Sequence, residues 1–296
     1  MFDTLFSQAK GRGGTILCFH EIAPAKFVRW MRQLSQQFRL VSLDEMIQRR
    51  LGGQSLSGLL AITFDDGWVE SCAPIAEICE REEWPITIYA ISSLCDSTRT
   101  FWFAELPELL ASAHESSPKI SNGASTTQQP AFKPDRTLPR LLRTLPGEEA
   151  LRTVHQFRAE LNLPPDTNKR PRFIDRNFIE HYARSEWISF GSHTVDHQCL
   201  SAQTEERLEW QLETSKATLE ELTGKPVKHF CYPYGDPASI GKLAPAAVKR
   251  HYSSATTMLR GVCGKDSDPH YLPRVPLYNS DSHVRGLMKV ALAPWL

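Results

Sequence analysis

The sequence predicts an α/β protein built on a mainly parallel sheet. Short apolar runs of three to six residues alternate with helix-length amphipathic segments, the pattern of strands separated by crossover helices. At 296 residues, with 41% hydrophobic and 23% charged residues, the chain can bury a sizeable core. No run of about 18 apolar residues occurs, so a transmembrane helix is not expected.

Taken in order, TILCF (Thr15–Phe19) and LLAIT (residues 59–63) read as buried strands, apolar on both faces. ITIYAI (86–91), WISF (187–190) and HFC (His229–Cys231) read the same way. Residues 26–37 and 74–83 read as helices between them. The clearest helix is 204–223, where Leu208, Leu212, Leu219 and Leu222 fall on one stripe and Gly224 can end it. Core packing is enough to explain that stripe. Residues 117–136 are rich in Ser, Thr, Pro and Gln and read as a mobile loop. With the helical pieces 101–115 and 138–161 around it, this loop is expected to form an insertion at about 101–186. Neither an internal repeat nor a clean linker is visible, so residues 1–296 are expected to be a single domain.

Lys+Arg and Asp+Glu balance at 34 each, which leaves no net field to attract nucleic acid or an anionic membrane. An uncharged partner such as a glycan fits that balance. The N-terminal residues lack a basic stretch followed by an apolar one, so a cytoplasmic location is expected. The seven cysteines are scattered and form no CxxC pair, which argues against a zinc ribbon or a thioredoxin-type site and for reduced thiols.

The residues suited to chemistry follow the apolar runs. TFDDG (63–67) sets Asp65 and Asp66 side by side at a strand end, where like charges resist joint ionisation. A cation removes that cost and lets the two carboxylates divide labour. An Asp-rich turn eased by Gly67 is the plainer alternative. SHTVDH (192–197) spaces His193 and His197 so that both can reach one ion. With a carboxylate they make a His₂Asp set of the kind found in catalytic zinc sites. Taken alone that spacing is a weak signal, surface or capping histidines being the commoner reading, and Asp196 between them can be a turn residue. FCYPYG (230–235) is either an aromatic–proline turn or a rigid turn that aims a backbone N–H at a developing oxyanion. His20 ends the first strand in ILCFHE; in a parallel barrel it would share one rim with the other strand ends.

The order and wording of these segments resemble the NodB-homology polysaccharide deacetylases, carbohydrate esterase family 4. TFDDG is similar to that family's first motif, SHTVDH to its second and FCYPYG to its third, over roughly residues 12–100 and 187–280. The resemblance implies a distorted (β/α) barrel of the NodB-homology type with a helical insertion. It also implies a divalent metal, Zn²⁺ above all, and hydrolysis of acetyl groups on sugars. It puts Asp65 at the catalytic base, Asp66, His193 and His197 at the metal ligands, and the Tyr234 backbone N–H at the oxyanion.

Two departures stand out. Cys231 occupies the place of the family's arginine, and the usual late Leu-x-His segment is absent. Both gaps resemble a rearranged subgroup similar to deacetylases of poly-N-acetylglucosamine, which implies His20 as general acid and Arg274 as the replacement arginine.

Hydrolysis of an N-acetyl group is therefore the leading expectation. No Gly-x-Ser-x-Gly elbow suggests a serine nucleophile. A carbohydrate-binding homologue without turnover and an amidohydrolase on a non-sugar amide remain as alternatives. Trp68, Trp102, Tyr232 and Tyr234 suit either sugar stacking or a core.

Overall fold

The computed structural model describes residues 6–7, 10–95, 101–115, 137–163 and 173–295. Among them are eight strands: β1 (Thr15–Phe19), β2 (Arg39–Leu40), β3 (Leu59–Phe64), β4 (Ile86–Ala90), β5 (Ile188–Ser192), β6 (His229–Cys231), β7 (Ser254–Arg260) and β8 (Leu272–Pro276). They lie in the order β1-β8-β7-β6-β5-β4-β3-β2, and β1 also pairs with β3, from Thr15↔Leu60 to Phe19↔Phe64. Seven strands thus close into a parallel barrel, with β2 paired to the start of β3. This is the parallel α/β architecture that the strand–helix alternation predicts, closed into the (β/α) barrel that the family resemblance implies. The loop read at 117–136 lies outside the described residues.

Period-two alternation divides each strand between two environments. Leu17, Phe19, Ile62, Phe64 and Val275 belong to the large cluster that packs with the helices. Ile16, Ala61, Tyr89, Cys231 and Leu272 form a smaller cluster on the opposite faces, which line the lumen. Because every strand is parallel, their C-terminal ends share one rim, where active sites of such barrels gather.

The helix Pro24–Gln37 starts with Pro24, whose fixed φ suits the first turn. The helix Val69–Glu82 begins five residues before the 74–83 segment expected from sequence, because it contains Pro74 instead of starting with it. That proline forfeits one intrahelical hydrogen bond, and the turn ahead of it is closed by Cys72 N–H donating to the Trp68 carbonyl at 2.8 Å. The helix Glu205–Thr223 is capped by Thr204, which accepts from Arg207 N–H, and ends at Gly224 with φ of 64°. Leu208, Leu212, Leu219 and Leu222 are all buried, as the stripe predicts.

The chain divides into two compact units, Met1–Ser97 with Phe173–Leu296, and Thr98–Arg172. The first holds the barrel. The second contains the helices Trp102–Glu115, Thr137–Leu142 and Gly147–Glu160, with Leu109, Leu138, Leu142 and Val154 buried. No helix among the described residues is long and apolar enough to cross a membrane. All seven cysteines are buried and none is in a disulfide.

The C-terminal helix His283–Leu292 packs on Pro24–Gln37 through Gly286, where an added Cβ would lie 2.5 Å from the Trp30 ring. Helix propensity alone predicts that Gly286→Ala gains about 1 kcal/mol. The clash outweighs it, since overpacking a close-packed site costs about 1–3 kcal/mol. Urea unfolding of Gly286→Ala should therefore show a net loss of stability. A gain would show that Trp30 moves aside freely.

Candidate active site

Asp65 lies just past the end of β3, its N–H donating to the Phe19 carbonyl at 2.8 Å. The side chain is 2% exposed and meets Arg274, which is 0% exposed, in a two-pronged pair. Nη1 donates to Oδ1 and Nη2 to Oδ2, each at 2.7 Å. The rest of the guanidinium is also engaged. Nε donates to the Thr257 carbonyl at 2.8 Å, Nη1 to Thr63 Oγ1 at 3.0 Å, and Nη2 to Cys231 Sγ at 3.1 Å. Between Thr256↔Leu272 and Arg260↔Arg274 the pairing of β7 with β8 changes register, as at a bulge beside a functional site. Thr257, inside that irregular stretch, supplies the carbonyl that Arg274 uses.

Burial drives the Asp65 carboxyl upward, but the Arg274 charge more than cancels this and holds it well below the usual carboxylate range. The Cys18 and Cys231 thiols also donate to Asp65 Oδ2, at 3.4 and 3.5 Å. Burial pushes the Cys18 thiol well up, so it stays protonated and serves as a donor. His20 Nε2 stands 3.7 Å from the same Oδ2, on a side chain that is 34% exposed.

Asp66 points elsewhere. Its φ of 66° turns the backbone between the two carboxylates. Trp68 Nε1 donates to Asp66 Oδ2 at 3.1 Å, while Oδ1 is a buried atom without a hydrogen-bond partner. That oxygen faces His193 Nε2 and His197 Nε2, each 3.4 Å away. His193 Nδ1 donates to the Cys231 carbonyl at 2.8 Å, which leaves Nε2 as the ring nitrogen that faces Asp66. Burial and the adjacent His193 push His197 down to about 3. Burial also pulls on His193, yet Cys231 and Asp66 raise it well above the imidazole range, so a divalent cation would have to displace a proton from its Nε2.

All three side chains are buried, and their donor atoms lie within 4.8 Å of one another. Two imidazoles and an orphaned carboxylate oxygen fit a small divalent ion of the zinc type.

Tyr234 follows β6 with φ of 62°, and its ring lies edge-on to His197 at 4.8 Å. Gly235 is required beside it, because a Cβ there would sit 2.5 Å from Met258 N and its φ is 63°. Asp66, Thr194, His197 and Tyr234 all adopt left-handed backbone, a concentration of strain typical of a functional site.

The remaining sequence candidates separate. Asp196 is held by Arg207 at 3.0 Å and by Gln211, as a structural residue of its turn. Tyr232 is buried and donates to the His270 carbonyl at 2.9 Å, so it belongs to the core. Trp102 belongs to the second unit. Sequence reasoning missed Cys18 and Thr63, which carry no spacing signal, and it read Trp68 for sugar stacking or core, whereas its indole donates to Asp66.

A family model for polysaccharide deacetylases matches residues 53–251, about two thirds of the chain. The chain belongs to the polysaccharide deacetylase family. Its members' class of activity, hydrolysis of acetyl groups from carbohydrate, is the class of this enzyme. His20 and Arg274 both lie outside the matched residues, although the barrel brings them to Asp65. Among solved structures, the chain is similar to Streptococcus pyogenes deacetylase PplD, with TM-score 0.62 at 13% identity over 94% of this chain and 97% of that one. It is also similar to IcaB from Ammonifex degensii, with TM-score 0.61 at 18% identity over 95% and 97%. For the BpsB deacetylase domain from Bordetella bronchiseptica the values are 0.56, 13%, 90% and 96%. At these identities the likeness is one of fold. No curated protein matches the chain significantly by sequence.

Arg274→Leu should leave Asp65 as a buried charge without its cation, which costs about 3–5 kcal/mol. The sign with pH follows. In the parent, Asp65 is depressed, so its contribution is present above the unfolded carboxylate pKa and fades only as pH falls through the lower folded value. In the variant, burial alone raises Asp65, so stability drops as pH rises above about 4. Chemical denaturation should thus show a larger gap between the two proteins at pH 8 than at pH 5. A pH-independent gap would mean that Arg274 acts through packing alone.

Proposed function

We propose that this family member is a divalent-metal-dependent N-deacetylase acting on an N-acetylglucosamine-containing glycan, with Asp66, His193 and His197 as the ligands. The observation that carries the reading is Asp66 Oδ1, buried without a hydrogen-bond partner and 3.4 Å from two imidazole Nε2 atoms. A divalent ion held there would polarise the acetyl carbonyl and ease ionisation of the attacking water.

The protein's own groups supply the rest. Asp65, kept ionised by Arg274, takes the proton of the water that attacks the acetamide carbon. The Tyr234 backbone N–H supports the tetrahedral oxyanion. An amine departs poorly unless protonated, and His20, half-exposed beside Asp65, is the residue assigned to give it that proton. Arg274 takes the part of the family arginine from β8, while Cys231 occupies that arginine's place on β6. The choice of N-acetylglucosamine rests on the resemblance to the rearranged poly-N-acetylglucosamine deacetylases. A binding protein without turnover is disfavoured by the intact Asp65–Asp66 pair, since metal binding needs only the second carboxylate.

The adjacent aspartates should separate on mutation. Asp65→Asn should retain metal by elemental analysis but lose most acetate release from chito-oligosaccharide. Asp66→Asn, His193→Ala and His197→Ala should lose both. Full metal occupancy in all three ligand variants would overturn the ligand set.

His20→Gln should slow amide hydrolysis by about 10²–10⁴-fold, the usual range for a lost general acid. An activated acetate ester, whose leaving group departs unprotonated, should be affected far less. Equal losses on both substrates would exclude the acid role.

A further inference from the structure

Beyond the residues assigned to chemistry, the structure assigns a sugar-recognition residue: Tyr278, beside His20 on the barrel rim, as the platform for the pyranose that bears the acetamido group. This rests on the deacetylase reading above.

Register carries the placement. β1 and β8 pair at Leu17↔Val275 and Cys18↔Pro276, and Leu277 N–H continues the ladder to the Cys18 carbonyl at 3.0 Å. Two residues further along each strand come His20 and Tyr278. Side chains two apart share a face. Cys18 and Arg274 both reach Asp65 in the lumen, so His20 and Tyr278 continue that face upward at the mouth.

The turn that presents Tyr278 is braced. Its N–H donates to Asp281 Oδ2 at 2.9 Å, and Asp281 is 2% exposed. Lys289 Nζ binds Asp281 Oδ2 at 2.5 Å and the Pro276 carbonyl at 3.2 Å, and lies 4.5 Å from the centroid of the Tyr278 ring. Lys26 Nζ donates to the Asp281 carbonyl at 3.0 Å, tying the same turn to the helix Pro24–Gln37. Despite this fixing, Tyr278 is 38% exposed, and Leu259 at the end of β7 is 37% exposed. A large ring held rigid yet left open to water has no role in the core. Beside a group assigned to protonate a sugar nitrogen, it faces the ring carrying that nitrogen. An aromatic face against the apolar C–H face of a pyranose buries area at little entropic cost, because the ring is already ordered.

The test compares Tyr278→Ala and Tyr278→Phe with the parent on chitotetraose and on 4-nitrophenyl acetate, which carries no sugar. Tyr278→Ala should raise KM for chitotetraose about five- to tenfold, as loss of one aromatic contact implies, with kcat nearly unchanged. Tyr278→Phe should stay within about twofold of the parent, and neither variant should change ester hydrolysis. Three results would overturn the assignment: an unchanged KM in Tyr278→Ala, equal losses on sugar and ester, or a Phe variant as impaired as Ala. If the parent released no acetate from chitotetraose and did not bind it by calorimetry, the deacetylase reading and this one would fall together. Normal release by the parent with an unchanged KM in the variant would sink this one alone.

Discussion

In the barrel lumen a guanidinium and a carboxylate face each other out of water, and the rest of the site is arranged around them. Either charge alone would be costly to bury, and the mutual attraction offsets desolvation only when the remaining donors are satisfied. Arg274 has five N–H groups, and the structure gives each an acceptor: Asp65 twice, Thr63, Thr257 and a sulfur of Cys231 or Met258. Those acceptors come from β3, β6 and β7 and the residue following β3. The ion pair therefore fixes the relative placement of strands that are distant in sequence, and it keeps Asp65 ionised, as the base role proposed for it requires.

The second aspartate is freed by the first. With Asp65 neutralised by Arg274, Asp66 can be buried beside it without two bare negative charges meeting. The left-handed turn at Asp66 and the Trp68 indole then direct one oxygen toward the two histidines. The Cys231 carbonyl sets the tautomer of His193, so the residue standing where the family has its arginine still shapes the centre through its backbone and its thiol. Left-handed Thr194 and His197 are joined by His197 N–H donating to Thr194 Oγ1 at 2.9 Å, and left-handed Tyr234 precedes Gly235, which is packed against Met258.

Much of this was legible in the sequence where local signals were strong. β1 and β6 fall where their apolar runs predict, and β3, β4 and β5 differ by one or two residues at their ends. TFDDG and SHTVDH announce themselves by strand-end position and spacing. β8 was hidden because Pro273 and Pro276 bracket Arg274, and proline argues against a central strand. β7, SATTMLR, is too small and polar at its start to read as buried. The partners of Arg274 depend on barrel closure and on the register change in β7, neither of which leaves a local trace. Tyr278 was equally silent, since only the β1–β8 register brings it beside His20.

The account turns on two adjacent aspartates with separate partners, Arg274 for one and a divalent ion for the other. A crystal structure of the Co²⁺-loaded protein, with an anomalous difference map at the cobalt edge, examines both at once. The account predicts one strong peak within ligand distance of Asp66, His193 and His197, with Asp65 still paired to Arg274. A peak at Cys18, His20 and Asp65, or an ion that draws Asp65 away from Arg274, would contradict it.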